Sequence, residues 1–529
     1  MTLKVVTKKI EILYCNIICY IFKCYRFLKA KFINMSLLSL AQSSEFDRLI
    51  QERMEMFKFL LDKSRFSYKQ YQYDGVEWCI KNELRPNPPG NARGGFIADE
   101  MGLGKTIMMI GTMFSNFLPR TLIVVPPVLI EQWFEEIYKS SGHQSLLYYG
   151  NNKKFICQSD INASPIVITT YNTLLSDNCI LKKIVWNRVI FDEAHHLRNS
   201  KTKRFTSCKQ INARVRWLVT GTPVQNKKQD FYNLCSAAGM KRSFYTDTTN
   251  LRIIGKNFVL RRTKAQVGIN LPPVNREQKY IEWKSHKEML LSEEIHSFLP
   301  NQTGVSSGKR NKLASIFGRC GTLTVMLRAR QSCIMSKLMR GHVIDIFSRM
   351  GLVGTEYLEA FESTSKVDAV TNLMLERKDN GRGKIVFCHF QEEIDVIACK
   401  LLNGGMQKVV KYDGRNSGGH NLLKLAEPAD ALVIQIQTGC EGLNLQHHFS
   451  EIYFVSPHWN PFVEDQAIAR CHRIGQLKPV DVFKFEMCGF KGEKIDDAVI
   501  DGITLDKYVR QGQDVKRIIS REMLDMHLD

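Results

Sequence analysis

The sequence predicts an α/β fold: two lobes, each built on a parallel sheet, with a helical insertion between them. Three observations point to it. A first series of β-branched apolar runs alternates with helix-length segments from about residue 60, and a second series with the same rhythm begins near Lys384. A polar, mostly helical stretch over 265–365 separates the two. This alternation is the βαβ rhythm of a parallel sheet covered on both faces, and such sheets gather ligands at the carboxyl ends of their strands.

In the first series, "GGFIA" (94–98), "TLIVVPP" (121–127), "PIVITT" (165–170), "RVIFDEAHH" (188–196) and "RWLVTGTP" (216–223) each read as a buried strand that ends in a polar loop. "KTIMMIGTMF" and "LIEQWFEEIYKSS" have helical length and patterning. The second series runs "KIVFCHF", "KVVKYDG", "ALVIQIQTG", "SEIYFVSP" and "VDVFKFEM". The Gly/Ser/Asn-rich "PNQTGVSSGKRNK" (300–312) reads as an exposed loop within the insertion. The organisation expected is an N-terminal extension over 1–59, a first lobe over 60–265, the insertion over 266–365, a second lobe over 366–500 and a tail over 501–529.

An apolar content of 44% and a charged content of 24% describe an ordinary globular chain. The formal charge of +21 is spread along the sequence, which fits either a polyanionic partner or a generic basic surface. No C-x-x-C pair occurs among the 15 cysteines, so a zinc ribbon or RING is not expected, and scattered single thiols fit a reducing intracellular compartment. The apolar run "ILYCNIICYIF" (12–22) is too short to span a bilayer, which takes about 20 residues. Residues 1–34 are read as an untranslated leader or a poorly ordered extension ahead of Met35, and no membrane partner is expected.

The chemistry begins at "DEMGLGKT" (99–106), close to the phosphate-loop pattern G-x-x-x-x-G-K-[ST] but with Asp99 in the place of the first glycine. Placed between a strand and a helix amino terminus, such a loop would offer backbone N–H groups to phosphate. Lys105 would reach the terminal phosphates and Thr106 would ligate Mg2+. A glycine-rich turn with a surface lysine is the plain alternative. "VIFDEAHH" supplies what an NTPase needs second, an apolar strand delivering Asp192 for the metal shell and Glu193 for the attacking water. A third constellation, "EDQAIARCHRIGQ" (464–476), places Arg470 and Arg473 three apart. On a helix they would share one face, either to reach a nucleotide or as a solvated basic surface.

The ordered set of motifs resembles the Swi/Snf-type branch of superfamily-two helicases, ATP-driven translocases on double-stranded DNA, from Gln72 to Gln476. "YQYDGVEW" (71–78) resembles the family's adenine-recognition segment with Gln72 as the base-reading side chain, and "DEMGLGKT" resembles the family's own phosphate loop, with Gly102 and Gly104 at the nucleotide. "LIVVPPVLIEQW" is similar to the motif that touches DNA backbone, and "LVTGTPVQN" to the one that couples hydrolysis to lobe movement. "FVLRRTK" with "LPP" resembles the end of the first lobe. "IVFCHF", "QTGCEGLNLQ" with Gly442, and "DQAIARCHRIGQ" resemble the motifs of the second lobe, where Cys440 departs from the usual second glycine.

The resemblance implies two RecA-like lobes, ATP and Mg2+ as cofactors, duplex DNA as partner and Lys105, Glu193, Arg470 and Arg473 as catalytic residues. It also implies displacement or remodelling of DNA-bound proteins such as histones, polymerase or repair factors. A nucleus, or the cytoplasmic factory of a large DNA virus, would suit such an enzyme. A strand-separating helicase and a catalytically inactive DNA-binding scaffold are the alternatives. Arg198, Lys201, Lys203, Arg261 and Arg262 are candidate phosphate contacts on DNA.

Overall fold

The computed structural model describes residues 41–64, 67–223, 227–299, 321–341, 343–344, 358–415, 428–439, 443–490, 494–495, 498–499 and 502–525. The chain divides into two compact units, with the main boundary between Gly268 and Ile269.

The first unit holds a seven-stranded sheet in the order β3-β4-β2-β5-β6-β1-β7. Its strands are β1 (Gly94–Ile97), β2 (Thr121–Val125), β3 (Leu146–Tyr148), β4 (Ile166–Thr170), β5 (Val185–Asp192), β6 (Asn212–Val219) and β7 (Val259–Leu260). Every pairing in it is parallel. Side chains alternate across a strand, so one β2 supplies both cores: Leu122 and Val124 join Phe96, Phe191 and Leu218, while Ile123 and Val125 join Ile97, Ile190 and Trp217. Burial on both faces is why these strands are written as unbroken apolar runs.

The expected extension over 1–59 contributes to this second core. The helix Ala41–Lys63 buries Ile50, Met54 and Phe57, a helical spacing, against the helices Gln70–Leu84 and Lys105–Ser115. Gly111 makes room for it: a Cβ there would lie 2.5 Å from Phe57 Cε2. The interior also holds a buried ion pair. Arg188 of β5 donates from Nε and Nη2 to the two oxygens of Glu83 at 2.6 and 2.5 Å. Trp217 Nε1 and Asn116 Nδ2 donate to the same carboxylate at 2.7 and 2.6 Å. With both charged side chains 1% exposed, only this many partners make their burial tolerable.

The second unit holds a six-stranded sheet in the order β10-β11-β9-β12-β13-β8, again with every pairing parallel. Its strands are β8 (Val274–Ile281), β9 (Gly383–Cys388), β10 (Val409–Tyr412), β11 (Ala431–Gln435), β12 (Phe449–Phe454) and β13 (Val480–Met487). One expectation is corrected. The region 266–365 is not a purely helical insertion, because β8 lies within it and pairs with β13 over eight residues, from Val274–Val480 to Ile281–Met487. Within the span 501–529, expected as a C-terminal tail, the described residues form the helix Leu505–Asp525, which buries Leu505, Val509 and Gln513. Arg517 of that helix grips Asp465 through two bonds of 2.8 and 2.9 Å. Residues 1–34, the loop 300–312, Cys440 and Gly442 lie outside the described residues.

Candidate functional site

In the first sheet β5, β6 and β1 are neighbours, so the loops leaving their carboxyl ends are neighbours too. The loop after β1 carries the phosphate-loop sequence. Gly102 (φ 91°) and Gly104 (φ 79°) both take left-handed backbone, which a Cβ would oppose, and Gly104 caps the helix Lys105–Ser115. Lys105 Nζ donates to the carbonyl of Asp99 at 2.9 Å. Gln72 is buried, and its Nε2 donates to Leu103 O at 3.1 Å; a Cβ on Gly104 would lie 2.3 Å from that nitrogen, so Gln72 would have to move to admit one. From β6, the segment Thr220–Thr222 comes alongside: a Cβ on Gly221 would stand 3.6 Å from Lys105 Nζ.

β5 ends on Asp192, and Glu193 then adopts φ 48°, ψ 49°. Left-handed backbone at a non-glycine residue costs of order 1–3 kcal/mol and is a feature of functional sites. It turns the chain sharply at the carboxyl end of β5, an interior strand of the sheet. Asp192 Oδ2 accepts from Trp133 Nε1 at 2.7 Å, its Oδ1 from Glu193 N at 2.9 Å, and its carbonyl from Tyr171 OH at 2.7 Å. Burial, then the Glu193 charge, raise the Asp192 carboxyl to about 6, while the Trp133 donor and the Lys105 cation counter them. His195 Nδ1 lies 3.2 Å from Glu193 Oε2. His196 packs its ring 5.4 Å from Tyr171 and faces Arg204 Nη1 at 3.2 Å.

Lys105, Thr106, Gln72, Gly102, Gly104, Asp192 and Glu193 thus all belong to the first unit. Among the described residues no group of three His, Cys, Asp or Glu side chains is arranged to hold a metal. One carboxylate (Asp192) and one hydroxyl (Thr106) nevertheless suit Mg2+, which keeps several waters and takes its remaining oxygens from phosphates.

Arg470 and Arg473 belong to the second unit, and here the expected geometry is corrected. The helix Pro461–Ile468 ends before either residue, so they lie on successive turns and not on one helical face. Arg470 N bonds to Ala467 O and Arg473 N to Cys471 O. Burial of Cys471 and the bonds from Gln476 Nε2 to Cys471 O (3.2 Å) and Phe449 O (3.0 Å) fix these turns. Arg473 donates to Asn444 Oδ1. Its own burial, and then the adjacent Arg470 cation, push its pKa down to about 10.

Among the proposed DNA contacts, Lys201 is exposed and Lys203 pairs on the surface with Asp177 at 3.2 Å. Arg262 is withdrawn from that group: it is committed to the buried Asp99 by bonds of 2.6 and 3.1 Å. Trp133 and Tyr171 were missed as site residues. The indole lies in "LIEQWFEEIYKSS", which reads as a helix and overlaps the motif resembling a DNA-backbone contact, and its one signal is a polar N–H on the buried side of that helix.

Two family models match the chain: the SNF2-related domain over residues 71–338 and the helicase conserved C-terminal domain over 365–475. An uncharacterized ATP-dependent helicase of Mycoplasma genitalium is 28% identical over 455 residues, which are 81% of this chain and 41% of that protein. A probable global transactivator of Orgyia pseudotsugata multicapsid polyhedrosis virus is 25% identical, covering 86% of this chain and 91% of its own length. The chain therefore spans about two-fifths of the mycoplasma relative and nearly all of the viral one. A solved structure, the SWI2/SNF2 ATPase core of Sulfolobus solfataricus in complex with dsDNA, is 22% identical and covers 88% of this chain and 95% of that one, with a TM-score of 0.37. With the first model alone matching about half of its residues, the chain belongs to the SNF2-related family.

Proposed function

We propose that the protein is a DNA-dependent ATPase that moves on duplex DNA and displaces or remodels proteins bound there. The observation that supports this best is the gathering of the Lys105 loop, Gln72, Asp192 and Glu193 at the carboxyl edge of one sheet. In this reading Gln72 recognises the adenine, the backbone of 102–105 and the Lys105 amine hold the phosphates, and Thr106 with Asp192 holds Mg2+. When bound, Mg2+ would neutralise charge on the phosphate oxygens. Glu193 orients the attacking water and accepts its proton, from a backbone position that leaves the strand in left-handed conformation. Arg470 and Arg473 supply cationic charge to the transition state.

Duplex DNA is proposed as partner from the net charge of +21 and from family membership. DNA-bound proteins are proposed as the displaced cargo. No helix among the described residues is long and apolar enough to cross a membrane. The test is the ATPase rate measured in parallel with no nucleic acid, single-stranded DNA, duplex DNA and RNA. Duplex DNA should stimulate most, and the stimulation should weaken steeply with salt, because releasing counterions from the phosphates gains less free energy as the salt concentration rises. Stimulation by RNA alone would reject the reading.

A further inference from the structure

The aspartate that replaces the first glycine of the phosphate loop has its own partner. Asp99 is fully buried, and its two carboxylate oxygens accept from Arg262 Nη2 and Nε at 2.6 and 3.1 Å, a fork-to-fork pair. Arg262 also donates to the carbonyl of Tyr71, directly before Gln72, and its Nη2 lies 3.3 Å from Met108 Sδ in the helix that follows the loop. Gly75 leaves the room for this: a Cβ there would meet Arg262 Nη2 at 2.9 Å and Met108 Sδ at 2.5 Å. One guanidinium therefore touches the loop, the Gln72 segment and the helix carrying Lys105.

The neighbouring residues repeat the pattern. Glu100 N donates to Arg262 O at 2.9 Å, which extends the parallel pairing of β1 with β7 beyond both strands. Lys264 N donates to Glu100 Oε2 at 2.8 Å, and Lys264 Nζ, on a side chain 11% exposed, pairs with Glu100 Oε1 at 3.1 Å. Asp99 stands in the middle of this chain of contacts. Its side chain is held by Arg262 while its carbonyl holds Lys105. The segment that does the holding also runs up to the main boundary of the first unit, with Lys264 four residues before Gly268.

We propose that Arg262 and Lys264 are positioning residues, a latch that shapes the 99–105 loop and carries its nucleotide occupancy into the segment 260–268 through which the chain leaves the first unit. Asp99 and Glu100 are the loop's half of that latch and not ligands of the nucleotide. The proposal rests on the reading of this loop as a nucleotide site.

Hydrogen exchange on the full chain, with and without ADP and Mg2+, tests it. In the unaltered protein ADP should slow exchange at 99–106 and also at 260–268. In Arg262→Gln, saturating ADP should still protect 99–106, at an affinity at least about tenfold weaker, while protection at 260–268 is lost. A merely structural arginine would raise exchange throughout the unit without separating the two segments. Arg262→Gln that binds ADP and protects 260–268 as the unaltered protein does would overturn the proposal, as would protection of 99–106 alone in the unaltered protein. Should Arg262→Gln not fold, Lys264→Ala takes its place, with weakened protection at 260–268 expected and unchanged protection overturning the latch. If ADP protects neither segment in the unaltered chain, the nucleotide reading falls. The latch is then judged without ligand: Arg262→Gln should speed exchange at 98–104 about tenfold with β2 and β4 unaffected, and unchanged rates at 98–104 overturn it.

Discussion

Trp133 donates its indole N–H to Asp192 Oδ2 at 2.7 Å, and both side chains are buried. The bond turns one carboxylate oxygen inward and fixes the plane of the group, so the position of the other is set before any ligand arrives. Trp133→Phe keeps the ring in the core and removes only the donor. Hydrogen bonds to charged groups contribute about 1.5–3 kcal/mol, so turnover should fall roughly ten- to a hundredfold and the Mg2+ concentration for half-maximal rate should rise. A variant with unaltered Mg2+ dependence would show that the indole only fills space.

The Arg188–Glu83 pair makes a stability prediction. Glu83→Gln keeps the shape but strands a cation that is 1% exposed, which costs about 3–5 kcal/mol. Adding Arg188→Met should recover much of that loss, since the buried charge is then gone. Denaturant unfolding of the single and double variants checks both statements; a single variant within about 1 kcal/mol of the unaltered protein would contradict them.

Histidine 296 makes the second unit sensitive to acid. His296 is fully buried, with Nδ1 2.7 Å from Ser292 O and Nε2 accepting from Leu505 N at 2.9 Å. Phe490, Cys333, Asp506 and Lys366 surround it. Burial pushes its pKa down to about 4 from 6.5. The unfolded chain therefore binds the proton first as pH falls, and stability is lost progressively between about pH 6.5 and pH 4, on the order of 3 kcal/mol in all. Glu393 works in the opposite sense, because burial raises its carboxyl from 4.5 to about 7 and stability is lost as pH rises through that range. In His296→Gln the acid-side loss should shrink while the Glu393 contribution remains. Melting temperatures of both proteins from pH 7 to pH 4.5 measure the difference, and parallel curves would refute the assignment.

The strands at the centre of each sheet were legible because burial on both faces leaves little but apolar side chains, as in "TLIVV" and "ALVIQ". The edge strand β8 reads "VNREQKYI", with three successive exposed charged or polar residues, and its pattern cannot be told from a surface segment. The two terminal helices did carry a signal, Ile50/Met54/Phe57 and Leu505/Val509, but sparse apolar residues within a charged stretch are a weak one. The site motifs were legible as local sequence. What joins them was not: Asp99 and Arg262 are 163 residues apart, Trp133 and Asp192 59 apart. The i, i+3 spacing of Arg470 and Arg473 suggested a helix that in fact stops at Ile468.

Arg473→Ala separates a catalytic arginine from a basic surface. With the guanidinium removed, ATP affinity and DNA affinity should stay within a few-fold, while kcat falls on the order of a thousandfold. Normal kcat with weakened, salt-sensitive DNA binding would reject the catalytic role.

The most direct measurement is ATP binding and single-turnover hydrolysis by Glu193→Gln in the presence of duplex DNA. The substitution preserves the size of the side chain and leaves Lys105, Thr106 and Asp192 in place, so ATP should bind with about the unaltered affinity. Only the activation of water is lost, and hydrolysis should fall by roughly two to four orders of magnitude. Hydrolysis at the unaltered rate would contradict the assignment of that carboxylate, and with it the account of how this site works.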